Sequence, residues 1–129
     1  MSSKPFGLRA VCLLNQTALS PKGFDDIQYE QEYLKSYEKT GCFDVLFSNQ
    51  KGEITEGSRT NLFIKKGDTF YTPPIECGLL DGIYRRQILD DENIKSVEKI
   101  LFFEDLRSAE QLYLCNSVRG LIPVSLIGH

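Results

Sequence analysis

Three short segments of the sequence carry residue types that could bind an anionic ligand. Glu56 ends a predicted strand and enters a Gly-Ser turn, where glycine allows a ligand to approach the backbone closely. Segment 78–85 is a glycine-bearing turn that opens into a predicted helix, whose first backbone N–H groups could bind an anion. Segment 116–120 places small polar residues and an arginine at a strand end, where they could meet a phosphate and a carboxylate. Together the segments suggest an anion site without identifying its ligand.

Each segment also has a simpler interpretation. Glu56, taken alone, fits a solvated turn glutamate better than a ligand-binding group. Asp81 could cap the helix and occupy the N–H donors of Ile83 and Tyr84 itself, and the sequence favours neither this nor an anion site. Arg119 in isolation fits a surface arginine in an ordinary turn.

The elements that must position these residues alternate between strands and short helices. We predict strands at 7–14, 44–48, 53–55, 61–65, 69–71, 96–102, 111–115 and 122–127, and helices at 26–40, 81–89 and 104–109. Glycine turns join several neighbouring strands, so hairpins dominate the middle of the chain. The pattern predicts a mixed α and β domain.

Composition excludes several function classes. The 129 residues fit one domain, and a net charge of −3 with scattered Lys and Arg argues against a nucleic-acid partner. No apolar run is long enough to cross a bilayer and no signal-peptide pattern is present, so we expect no membrane partner and a cytoplasmic location. Four cysteines without Cys-x-x-Cys spacing and a single histidine, His129, argue against a metal site.

Several ordered motifs resemble the fold-type IV pyridoxal-phosphate enzymes, the class IV aminotransferase family. The matching segments are 43–47, 52–63, 71–74, 78–85 and 116–120, and the resemblance extends from about Lys22 to Val124. The runs Glu-Gly-Ser-Arg-Thr-Asn at 56–61 and Ser-Val-Arg-Gly at 117–120 are most similar to the aminodeoxychorismate lyase branch, including its fusions to aminodeoxychorismate synthase.

The resemblance implies an α+β fold: the large, C-terminal domain of the D-amino acid aminotransferase-like fold, with a barrel-like mixed sheet and helices. We expect residues 1–129 to form a single cofactor-binding domain, with the family's N-terminal domain absent. The resemblance further implies a homodimer, or pairing with a missing N-terminal half.

The resemblance also implies pyridoxal 5′-phosphate as the cofactor and assigns residues to it. The family's Schiff-base lysine falls on Lys22, 34 positions before Glu56 (56 − 22 = 34), and Tyr29 fits the pattern after it. Glu56 would accept a hydrogen bond from the protonated pyridine nitrogen. The other implied contacts are Leu80 at the ring, Ile83, Tyr84, Asn116 and Ser117 at the phosphate, and Arg59 and Arg119 at the substrate carboxylates.

Two features depart from the family pattern. Only 21 residues precede Lys22 (22 − 1 = 21), and Asp26 stands where the lyases have an arginine. These departures leave open that Lys22 is an ordinary surface lysine.

The leading functional expectation is a lyase that acts on a small-molecule substrate, 4-amino-4-deoxychorismate, and releases pyruvate to give p-aminobenzoate for folate biosynthesis. One alternative is an amino acid aminotransferase of the same family. The other is an inactive fragment, or a scaffold or partner domain of an aminodeoxychorismate synthase.

Overall fold

The computed structural model describes residues 9–15 and 44–127. The strands in these ranges are β1 (Arg9–Asn15), β2 (Asp44–Ser48), β3 (Asn61–Lys66), β4 (Thr69–Thr72), β5 (Ser96–Glu98), β6 (Gln111–Asn116) and β7 (Gly120–Ile127). A 3-10 turn covers Ile75–Cys77, and the helices are α1 (Ile83–Asp90) and α2 (Phe103–Ser108). The predicted helix at 26–40, and with it Lys22, Asp26 and Tyr29, lies outside the described residues.

All seven described strands belong to one mixed sheet in the order β2-β1-β7-β6-β3-β4-β5. The hairpins β3–β4 and β6–β7 are antiparallel, as is the pairing of β3 with β6 that joins them. β1 runs parallel to both β2 and β7, and β5 runs parallel to β4. Gly67 and Gly120 adopt positive φ values of 63° and 71° at the two hairpin turns, a conformation that glycine adopts at little cost.

The segments beside the two edge strands of the sheet touch each other. Ile54 forms a bridge with Ser48 at the end of β2, and its N–H donates to the carbonyl of Leu101, three residues after β5, at 2.7 Å. This contact curls the sheet towards closure. The predicted mixed, barrel-like α+β architecture is confirmed.

The strands bury different residues on their two faces. Leu62 and Ile64 of β3 join the larger hydrophobic cluster, while Phe63 between them packs with Ile88 of α1 and Cys115 of β6. This alternation is the period of two expected of a strand. Burying Ile88, which is 4% exposed, contributes about 2 kcal/mol and holds α1 against the sheet.

The predicted elements differ from the observed ones mainly at their ends. Residues 53–55 form only an isolated bridge at Ile54 rather than a strand. The strand predicted at 96–102 ends at Glu98, because the chain then crosses towards Ile54. The helix predicted from Asp81 begins at Ile83. No helix in the described part of the chain is long and apolar enough to span a membrane.

Candidate functional site

The carboxylate of Glu56 is buried at one wall of an open cleft. Glu56 is 7% exposed, and its Oε1 accepts a hydrogen bond from the backbone N–H of Leu80 at 3.1 Å. The backbone of Glu56 is itself fixed, because its carbonyl accepts from the N–H of Phe47 in β2 and it bridges Asn61 at the start of β3. The carboxylate is therefore held in one orientation against the segment that carries Leu80.

The loop after Glu56 is organised by the buried carboxylate of Asp44. Its Oδ1 accepts from the N–H and the hydroxyl of Ser58 at 3.0 and 2.6 Å, and its Oδ2 accepts from the hydroxyl of Thr60 at 2.9 Å. A side chain at Gly57 would overlap Thr60 and come within 2.7 Å of Asp44 Oδ2, so only glycine fits there. This loop carries Arg59, which is exposed and lines the cleft.

Asn61 connects the start of β3 to the turn before helix α1. Its Nδ2 donates to the carbonyl of Leu80 at 2.8 Å, and its Oδ1 lies only 2.4 Å from where a Cβ on Gly82 would be. Asn61 is 6% exposed, so it is both fixed and paired. Leu80 in this turn therefore makes two hydrogen bonds that fix it, donating from its N–H to Glu56 and accepting at its carbonyl from Asn61.

The first turn of helix α1 faces the cleft without a side-chain cap. Gly82 is the N-cap residue, and it makes no capping hydrogen bond. Asp81 does not fill the helix donors, because its carboxylate binds Arg85 at 2.6 Å and Arg86 at 3.3 Å. Of the two alternatives left open by the sequence, the structure favours a helix start that can accept an external anion.

The turn between β6 and β7 lies beside this helix start. Asn116 Oδ1 accepts from the N–H groups of Val118 and Arg119 at 3.1 and 2.8 Å, which fixes the turn. The Tyr84 hydroxyl lies 3.4 Å from where a Cβ on Gly120 would be, so the helix and the turn are in close contact. The two predicted phosphate-binding segments therefore meet at one place.

The cleft has a volume of about 800 Å³ and brings most of the predicted residues together. Its lining includes Glu56, Arg59, Leu80, Ile83, Tyr84, Asn116 and Ser117. Leu80 and Ile83 are 74% and 70% exposed, so their apolar side chains are available to a ligand. Arg119 is not part of the lining, and Lys22 lies outside the described residues, so its role stays a prediction.

Cys115 also lines the cleft but is poorly suited to nucleophilic chemistry. It is fully buried next to Asn61 in the sheet, and burial raises the pKa of its thiol to about 12. The thiolate, which is the reactive form, is thus disfavoured at neutral pH. No group of three or more His, Cys, Asp and Glu side chains that could hold a metal occurs within the described ranges.

Three residues that build the site were given no role from the sequence. They are Asp44, Asn61 and Arg85. A charged residue opening the apolar run of β2 is an available signal for Asp44, because buried carboxylates need partners. Asn61 carries no comparable local signal, since its partner Leu80 lies 19 positions away. The spacing of Asp81 and Arg85 signals a local ion pair, but not the contact of Arg85 with Pro73, 12 positions away.

Comparison with known proteins identifies the class to which this fold and site belong. The model of the amino-transferase class IV family matches residues 33–127, and the chain belongs to that family. Family members are pyridoxal-phosphate-dependent aminotransferases and lyases.

Relatives of both reaction types are similar to the chain. It is 36% identical over 87 residues to the aminodeoxychorismate lyase of Bacillus subtilis, covering 64% of this chain and 29% of that protein. It is 30% identical over 86 residues to a probable branched-chain-amino-acid aminotransferase of Thermotoga maritima, covering 64% and 32%. A crystal structure of a putative amino-acid aminotransferase from Mesorhizobium loti superposes with a TM-score of 0.76 at 33% identity, covering 93% of this chain and 60% of that one. The chain spans about a third of the length of the curated relatives named here.

Proposed function

We propose that this chain binds pyridoxal 5′-phosphate in the cleft and forms the cofactor-binding part of a lyase that releases pyruvate from 4-amino-4-deoxychorismate. The observation that carries the proposal is the position of Glu56. Its buried carboxylate, oriented by the Leu80 N–H, lines the same cleft as the uncapped start of α1. A cofactor that carries both a protonated pyridine nitrogen and a phosphate would use a carboxylate for the first and free backbone N–H groups for the second.

The donor set of the cleft fits this cofactor. The N–H groups of Ile83 and Tyr84 and the turn at Asn116 and Ser117 would hold the phosphate, and the exposed Leu80 side chain would support the ring. When bound, the cofactor supplies an electron sink for the carbon next to the substrate amine.

The residues of the chain then hold charge and protons around the substrate. Glu56 would keep the proton on the ring nitrogen, because a buried carboxylate stabilises the adjacent positive charge. Lys22 would remove the proton from the carbon that bears the amine, and would return a proton to the departing enol pyruvate. Arg59 would bind a substrate carboxylate at the cleft mouth, where a guanidinium can make two parallel hydrogen bonds.

One comparison supports a lyase over an aminotransferase, since Arg59 could bind the carboxylate of either substrate. The identity to the lyase of Bacillus subtilis, 36%, is higher than the 30% identity to the Thermotoga maritima aminotransferase. An amino acid aminotransferase is the second candidate, because the Mesorhizobium loti structure has that description and a comparable identity.

The test of cofactor binding uses the full chain with pyridoxal phosphate. We expect a long-wavelength absorbance band, and after borohydride reduction peptide mapping should find the cofactor on Lys22. Glu56→Gln should shift and weaken the band. The control Glu104→Gln removes a carboxylate outside the cleft and should leave the band unchanged. Label spread over many lysines would contradict the assignment and favour a scaffold domain.

The test of the reaction compares two substrates. A lyase should produce p-aminobenzoate and pyruvate in equal amounts from 4-amino-4-deoxychorismate. An aminotransferase should instead convert its cofactor to the amine form when an amino acid donor is added. Sedimentation of the same sample would show whether the chain is a homodimer, and repeating both assays with a separate N-terminal half would test whether it needs one.

A further inference from the structure

Arg85 is a fully buried cation in the first turn of helix α1. It is 0% exposed, and its guanidinium donates to Asp81 Oδ1 at 2.6 Å, to the carbonyl of Pro73 at 3.0 Å and to the carboxylate of Glu98 in β5. A charge buried this deeply requires partners of this kind. The first turn of α1 is thereby tied to the end of β4 and to β5.

Asp81 is the residue type most suited to cap this helix, yet it does not. If Asp81 were the N-cap, the helix would begin at Gly82, and its carboxylate would accept from the N–H of Ile83 or Tyr84. In the structure the helix begins at Ile83, and the Asp81 carboxylate faces Arg85 and Arg86. The donors that Asp81 would satisfy are those that we assign to the phosphate.

We propose that Arg85 is a positioning residue that holds Asp81 away from the helix start and so keeps the anion site open. The proposal rests on the proposed function for the identity of the anion. A released Asp81 would compete for the N–H groups of Ile83 and Tyr84, and its negative charge would also repel a phosphate.

Arg86 contributes less to this arrangement than Arg85. Its contact with Asp81 is longer, at 3.3 Å, and its side chain is 44% exposed. Exposed ion pairs of this kind hold a side chain weakly. Arg85 has no access to water and is also bound to the Pro73 carbonyl and to Glu98, and its contact with Asp81 is shorter, so its hold on Asp81 is the stronger one.

The first experiment tests the helix start in the unliganded chain. Amide hydrogen exchange of Ile83 and Tyr84 is compared in wild type, Arg85→Met and the double variant Arg85→Met/Asp81→Ala. We expect these amides to exchange freely in wild type, to gain protection in Arg85→Met and to lose it again in the double variant. Equal exchange in all three chains would overturn the proposal.

The second experiment measures binding of inorganic phosphate and of pyridoxal phosphate to the same chains. Arg85→Met should weaken both about tenfold, the effect expected when a capping carboxylate competes for the site, and Asp81→Ala should restore both. Arg86→Met serves as the matched control and should change binding less than threefold, about the effect of an exposed pair. Loss of binding in the single variant without recovery in the double variant would mean that Arg85 is only structural.

The design separates failure of this proposal from failure of the proposed function. Wild-type chain that binds neither phosphate nor pyridoxal phosphate would refute the cofactor site, while the exchange data would still decide the role of Arg85. If circular dichroism shows that Arg85→Met does not fold, Arg85→Lys replaces it. A lysine ammonium keeps the positive charge but cannot bind the carboxylates of Asp81 and Glu98 as the planar guanidinium does. The same recovery on adding Asp81→Ala is then expected.

Discussion

Removal of the Asp44 carboxylate should release the loop that carries Arg59. In the folded chain the carboxylate accepts hydrogen bonds from the Ser58 N–H, the Ser58 hydroxyl and the Thr60 hydroxyl. Asp44→Ala leaves all three without this acceptor. A buried donor left unpaired costs about 1–3 kcal/mol.

The magnitude follows from the exposure of the donors. Two buried donors lose their acceptor: the Thr60 hydroxyl and the N–H of Val45, which also donates to Asp44 Oδ1, at 2.7 Å. Ser58 is partly exposed and can bind water instead. We therefore expect Asp44→Ala to lower the free energy of unfolding by about 3–4 kcal/mol. Asp44→Asn should lower it by only about 1 kcal/mol, because an amide can occupy the same place and keep most of the hydrogen bonds in uncharged form.

Urea unfolding measures both values, and substrate kinetics measure the effect on the site. Asp44→Asn should raise KM more than it lowers kcat, since Arg59 binds substrate in the proposed reaction. Asp68→Ala is the control, because its side chain is 85% exposed and its pairing with Lys95 contributes little. A loss below about 1 kcal/mol for Asp44→Ala would refute the view that this carboxylate organises the loop.

Three further outcomes follow from the same geometry. The methyl group added by Gly82→Ala would come within 2.4 Å of Asn61 Oδ1 and force the turn to shift. The change should weaken pyridoxal-phosphate binding about tenfold, measured by absorbance titration. Burial raises the pKa of the Cys77 and Cys115 thiols to about 12, so iodoacetamide at pH 8.5 should spare both in the folded chain and label both in urea, as peptide mapping would show. Burial acts to raise the pKa of Asp81, but hydrogen bonds from two arginines outweigh it and lower that pKa. The stabilisation that Asp81 provides should therefore be complete above about pH 4 and should decline as the pH falls further. The difference in Tm between wild type and Asp81→Ala should shrink over the same pH range.

The order of elements follows largely from local pattern. Local pattern predicted β2, the β3–β4 hairpin, the strands β6 and β7 and the helix α2 to within one or two residues, whereas the hairpin partner predicted at 53–55 is only an isolated bridge. Element ends that were predicted wrongly are those set by distant partners. The strand predicted at 96–102 stops at Glu98, because the chain then turns towards Ile54. Local propensity carries no information about a partner more than 40 positions away.

The sequence by itself determined the family, through motifs long enough to be specific, and it determined which residues are candidates for the cofactor. Only the tertiary structure decided between the two interpretations of Asp81. Its carboxylate could cap the helix or bind an arginine, and the choice depends on Arg85 being buried by contacts with Pro73 and Glu98. Tertiary structure likewise placed Glu56 against Leu80, 24 positions away, and turned an ordinary turn glutamate into a buried, oriented one. The physical reason is the same in both cases, because each carboxylate depends on contacts made far along the chain. Glu56 depends on Leu80 directly, and Asp81 depends on Arg85, whose position is set by Pro73 and Glu98.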